Sequence, residues 1–125
     1  MTADRPSLLV VDDEPEVLQS LHELFRRDYQ VLAFTRGAEA LDALDARDVP
    51  VVLSDQRMPG MSGLDFLGRV AKVRPDATRL LFTGYSDFQT VIDAINRGHV
   101  FRYITKPWDA EELASTIRQA VERHV

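Results

Sequence analysis

At 125 residues and 14.2 kDa, 45% apolar and 28% charged, the chain has the length of one globular domain. It carries no cysteine, which excludes a disulfide scaffold or a thiolate zinc site. No apolar run approaches the roughly 20 residues of a membrane span. Fifteen Lys and Arg against twenty Asp and Glu leave a net charge of −5 and a pI near 5.1, so the surface repels phosphate backbones and direct nucleic-acid binding is not expected.

The first apolar run, Leu8-Leu9-Val10-Val11, predicts a strand over about 7–12. Val17, Leu18, Leu21, Leu24 and Phe25 follow at helical spacing behind Pro15, a residue suited to the first position of a helix, here about 15–27. Val31 to Phe34 predicts a second strand, 30–34, and Ala38, Leu41 and Leu44 a weaker second helix, 36–47. Val51-Val52-Leu53 lies in a third strand, 50–54, ahead of a helix over 62–73 marked by Leu64, Leu67, Val70 and Ala71. Leu80-Leu81-Phe82 gives strand 78–82. The helix after it, 86–97, has Phe88, Val91, Ile92 and Ile95 in phase, Ser86 or Asp87 as N-cap and Gly98 as C-cap. Strand 100–104 and helix 109–123, with Leu113, Ile117, Ala120 and Val121, complete the chain. Short continuous apolar strands alternating strictly with helices define a (βα)5 α/β domain, a parallel sheet covered on both faces.

Ligands of such sheets bind beyond the carboxyl ends of the strands, which directs attention to Asp12-Asp13-Glu14, Ser54-Asp55-Gln56-Arg57, Thr83-Gly84 and Thr105-Lys106-Pro107. Asp12, Asp13 and Asp55 brought to one mouth repel each other unless a cation neutralises them, and Mg2+ suits a shallow set of carboxylate oxygens. Lys106 adds a positive charge that can pair with Asp55 or with a phosphoryl oxygen. Thr83 offers a hydroxyl, and Gly84 a backbone N–H clear of any side chain. Metal-holding carboxylates, one carboxylate as nucleophile, a lysine and oxyanion donors are the parts that phosphoryl transfer requires.

The Asp12-Asp13 pair, Asp55 followed by Met58-Pro59-Gly60-Met61-Ser62-Gly63, Thr83-Gly84 and Lys106-Pro107 resemble the receiver domain of two-component response regulators over almost the whole chain. The resemblance implies a flavodoxin-like three-layer sandwich with strand order 2-1-3-4-5, Asp55 as phosphoacceptor from a sensor histidine kinase or phosphotransfer protein, and Mg2+ held by Asp12, Asp13, Asp55 and the Arg57 backbone carbonyl. It further implies phosphoryl binding by Thr83, Gly84 and Lys106, a cis Lys106-Pro107 peptide, and a signalling rather than enzymatic role; with no membrane-length run and no signal-peptide pattern in Met1-Thr2-Ala3-Asp4-Arg5, a cytoplasmic location is expected. Thr83 and Tyr103 would form a switch that alters the surface of the fourth helix, fifth strand and fifth helix. Tyr103 also reads as a half-buried edge aromatic. That surface, with Asp93, Arg97, Arg102, Glu111, Glu112 and Arg118, would meet a second receiver or an output domain, attached or separate. Arg57 and Tyr85 occupy positions that in this family govern loss of the phosphoryl group.

A dehalogenase-like phosphatase would need a second acid two residues after its nucleophile, where this chain has Arg57, a group that exchanges no proton near neutral pH. An FMN carrier would need a hydroxyl- and glycine-rich loop where Asp12-Asp13-Glu14-Pro15-Glu16 would repel the phosphate. The histidines His22, His99 and His124 show no metal-ligand spacing and read as surface residues, and Trp108 reads as a packing residue.

Overall fold

The structure, a computed structural model, describes residues 5–84, 88–96 and 100–124. Five strands, β1 (Ser7–Val11), β2 (Gln30–Phe34), β3 (Val51–Asp55), β4 (Thr78–Thr83) and β5 (Arg102–Thr105), alternate with α1 (Pro15–Phe25), α2 (Gly37–Ala46), α3 (Gly63–Val73), α4 (Phe88–Asn96) and α5 (Ala110–His124). All strand pairs are parallel, in the order β2-β1-β3-β4-β5. This is the flavodoxin-like arrangement.

Because successive strand residues face opposite sides, the apolar runs divide between two cores. Leu8, Val10, Val51, Leu53, Leu80 and Phe82 pack with Leu18, Leu21 and Phe25 of α1 and Leu113, Ile117 and Ala120 of α5. Leu9, Val11, Val52 and Leu81 pack on the other face with Ala40 and Leu44 of α2 and Phe66, Leu67 and Val70 of α3. Phe66 is fully buried, and its truncation to Ala would cost about 3–5 kcal/mol.

Local chemistry sets the ends of the elements. Pro15 opens α1, and the helix stops at Phe25, the last of its periodic apolar residues and two residues short of the expected 15–27, where the Phe25 carbonyl accepts from Asp28 and Tyr29 in a turn. At α3 the Ser62 hydroxyl caps the Asp65 N–H at 3.1 Å. Strand β5 begins two residues later than its apolar run: Val100 is buried without joining the ladder, and Phe101 donates to the Arg79 carbonyl at 2.8 Å as the chain enters the sheet. The expected α4 caps Ser86, Asp87 and Gly98 lie outside the described residues, as do Tyr85, Arg97 and His99.

Candidate functional site

The period-two pattern that fills the α1–α5 core carries on to the strand ends and just beyond them. Asp12 follows Val10, Asp55 follows Leu53, and Lys106 follows Ile104, each two residues on and therefore on the same side of the sheet. Two backbone bonds prolong the ladder here, Asp12 N–H to the Phe34 carbonyl and Lys106 N–H to the Thr83 carbonyl, both 3.1 Å. The Lys106-Pro107 peptide is cis.

The Lys106 ammonium bridges two carboxylates, 2.9 Å from Asp12 Oδ2 and 3.0 Å from Asp55 Oδ1. It also lies 5.6 Å from the ring centre of Phe82, on whose face Trp108 is stacked with ring centres 5.0 Å apart. Asp12 is buried, and its other oxygen accepts from the Glu14 N–H at 2.9 Å. Asp13 is exposed. One carboxylate oxygen from each of Asp12, Asp13 and Asp55 falls within 4.8 Å of the others. Asp13, Glu14, Asp55, Gln56, Arg57, Thr83, Gly84 and Lys106 line a cleft of about 330 Å³.

Burial pushes the Asp55 carboxyl above its ordinary range, and the Asp12 charge adds to that push; hydrogen bonds from Lys106 and the Gln56 backbone oppose it without cancelling it. Burial acts on Lys106 in the direction of deprotonation, but the hydrogen bonds and charges of Asp12 and Asp55 outweigh it and hold the ammonium above its ordinary range. A group of oxygen-only donors with more carboxylates than the one bridging ammonium can neutralise fits a hard divalent cation such as Mg2+.

Of the residues expected at the strand ends, Asp13, Asp55, Arg57, Thr83, Gly84 and Lys106 line the cleft, while Asp12 is buried and meets it through Lys106; two details differ from the expectation. Lys106 pairs with Asp12 as well as Asp55. The buried Thr83 lines the cleft, but its hydroxyl donates to the Gly84 carbonyl at 3.1 Å. Tyr103 is half-buried and packs against the core on the α2–α3 side. Arg102, expected at a contact surface, donates to Gln119 Oε1 at 2.9 Å. Glu14 and Gln56 complete the cleft without having been singled out as site residues. Their position directly after strand-end aspartates was the available signal.

A parallel sheet of this order with an acid cluster and a lysine at its carboxyl edge is a flavodoxin-like α/β domain whose polar site lies at the strand ends. The family model for the response regulator receiver domain matches residues 8–118, and the chain belongs to that family, the receiver domains of two-component signalling. It is 38% identical over 116 residues to the hydrogenase transcriptional regulatory protein HoxA of Bradyrhizobium diazoefficiens, covering 93% of this chain and 24% of the relative. The chain therefore spans about a quarter of the length of that curated relative. Among solved structures, the signal receiver domain of an HD domain-containing protein from Pseudomonas fluorescens Pf-5 superposes with a TM-score of 0.90 at 36% identity, covering 99% of this chain and 92% of that one. A response regulator receiver domain protein from Clostridium thermocellum gives a TM-score of 0.87 at 32% identity, covering 94% and 95%.

Proposed function

We propose that this receiver accepts a phosphoryl group on Asp55 from the phosphohistidine of a sensor kinase or phosphotransfer protein. A carboxylate oxygen of Asp55 forms the new bond to phosphorus, and the bond from phosphorus to the donor imidazole nitrogen breaks, its electron pair leaving with the imidazole. The observation that carries this reading is the Lys106 ammonium between Asp12 and Asp55, 2.9 and 3.0 Å away, at the edge of an open cleft. It holds the nucleophile in place, and once Asp55 has lost its charge to the acyl phosphate the same ammonium serves a phosphoryl oxygen. Asp12, Asp13, Asp55 and the Arg57 backbone carbonyl would hold Mg2+, which when bound supplies charge neutralisation for the approaching phosphoryl group.

The Thr83 hydroxyl would exchange the Gly84 carbonyl for a phosphoryl oxygen, beside the Gly84 N–H. Such a contact exists in one state only, as a population shift requires. Thr83 and Lys106 border α4 and β5, so the change would reach the α4–β5–α5 surface with Tyr103 as its aromatic element. The partner there would be an attached output domain, as the relatives' greater length suggests, or a second receiver. The domain would act in the cytoplasm, as a signalling module rather than a metabolic enzyme; no helix among the described residues is long and apolar enough to cross a membrane.

Incubation with acetyl phosphate and Mg2+ should yield a covalent phosphate on Asp55, detected by mass, and Asp55→Asn or a chelator should abolish it. Undiminished labelling of Asp55→Asn would refute the assignment.

A further inference from the structure

Three backbone N–H groups open α3, at Gly63, Leu64 and Asp65, and helix termini leave such donors without intrahelical partners. Ser62 takes one of them, the Asp65 N–H. Gln56 takes the other two: its backbone carbonyl accepts from Gly63 at 2.9 Å, and its side-chain Oε1 accepts from Leu64 at 2.9 Å. Gln56 also follows Asp55 directly in the chain, at the end of β3. A single residue therefore ties the proposed phosphoacceptor on one side to the first turn of a helix on the other.

The segment between these ties is short. It runs through Arg57, Met58, Pro59, Gly60 and Met61 and turns at Gly60, whose φ is +83°, a value that favours glycine. At its far end α3 presses on the end of β3, so closely that a Cβ on Gly63 would lie 2.1 Å from the Asp55 carbonyl oxygen. Helix and strand end are thus in backbone contact. The bond from Leu64 to the Gln56 side chain adds a second tie across that contact, beside the Gly63 bond to the Gln56 carbonyl.

We infer that Gln56 is a positioning residue: through its side-chain bond to Leu64 it sets where the Asp55 carboxylate and the Arg57 carbonyl sit for Mg2+ and phosphoryl binding. This inference rests on the proposed function. The amide is suited to the task because it accepts from Leu64 without adding a fourth negative charge to Asp12, Asp13 and Asp55.

The test compares Gln56→Met, which keeps the length of the side chain and removes the acceptor, with Gln56→Glu, which keeps the acceptor. In the metal-free Met variant, amide exchange at Leu64 should accelerate about tenfold while the sheet amides stay protected. Its Mg2+ dissociation constant, measured by calorimetric titration with MgCl2, should rise about fivefold, the worth of one lost hydrogen bond. In the Glu variant Leu64 should remain protected and Mg2+ should bind at least as tightly as in the wild type. Unchanged Mg2+ binding by Gln56→Met beside normal wild-type binding would overturn the inference while leaving the phosphoacceptor reading intact. Loss of protection throughout the sheet would also overturn it, by making Gln56 a residue of general stability. Failure of the wild type to bind Mg2+ would overturn the functional reading itself, and the role of Gln56 with it.

Discussion

At the carboxyl edge of the sheet the carboxylates of Asp12, Asp13 and Asp55 converge on one bridging ammonium, Lys106. At the amino edge the like charges are positive: the guanidinium groups of Arg102 and Arg123 lie 5.3 and 4.5 Å from the ring centre of Phe101. Arg79 beside them donates to the Pro75 and Ala77 carbonyls at 3.3 and 3.1 Å. Burial and the charge of Arg123 lower the proton affinity of Arg79, yet an aromatic face and backbone carbonyls serve these cations from within the chain. The carboxylates are served less fully: the Glu14 N–H donates to Asp12, but one ammonium is shared between Asp12 and Asp55 in a cluster of three carboxylates. The amino edge closes upon itself, while the carboxyl edge keeps a charge excess that an external cation can meet.

The difference can be broken most severely at Lys106. Lys106→Met should lower metal-free stability by about 2 kcal/mol, less than for a fully buried pair because the lysine is partly exposed. Urea unfolding would measure the loss, and added Mg2+ should narrow the gap to the wild type. At the other edge, Phe101→Leu should cost about 1 kcal/mol, from two weakened cation–π contacts and some packing, with no response to Mg2+. Asp12→Asn should cost about 0.5–1 kcal/mol without metal, since the amide keeps the acceptor for Glu14 but loses the charge facing Lys106. Asp13→Asn, exposed at the mouth, should leave metal-free stability within about 0.5 kcal/mol of the wild type or raise it slightly. Equal gains from the two aspartate variants would mean that the charge excess, and not the Lys106 bridge, governs this edge.

The pH dependence sharpens the same contrast. Asp55 binds its proton more tightly in the folded chain than at its ordinary 3.8, so metal-free stability should fall as pH rises from about 3.8 through the raised folded value. Lys106 is likewise raised above its ordinary 10.5; its contribution is complete below that pH and disappears as pH rises through the folded value. Asp55→Asn should flatten the acid limb and leave an alkaline loss in place, as read from thermal unfolding across pH.

Much of this was legible in the sequence because strand parity is simple. Leu8, Val10 and Asp12, or Val51, Leu53 and Asp55, assign a strand's core face and its strand-end acid in one stroke. The second partner of Lys106 was not legible, since Asp12 is 94 residues away and β1 and β5 are not adjacent in the sheet. That pairing depends on the reach of the lysine across the intervening strand ends. The late start of β5 was hidden for another reason: Val100 is as apolar as a strand residue but is buried before the ladder begins, and hydrophobicity reports burial, not pairing. Gln56 gave no periodic signal at all, because one side chain capping a helix eight residues on leaves no repeat to detect.

Trp108 is the one tryptophan in the chain, and its indole is stacked on the ring whose neighbour is the Lys106 ammonium. The protein therefore contains a natural optical reporter. A cation near a stacked aromatic pair shifts the electric field at the indole, so movement of Lys106 from the aspartates to another anion would change emission without any added dye. Stopped-flow fluorescence of the unmodified chain would then follow ion binding and the proposed phosphorylation of Asp55 as separate events in time, with Phe82→Leu as the control that uncouples the indole from the lysine.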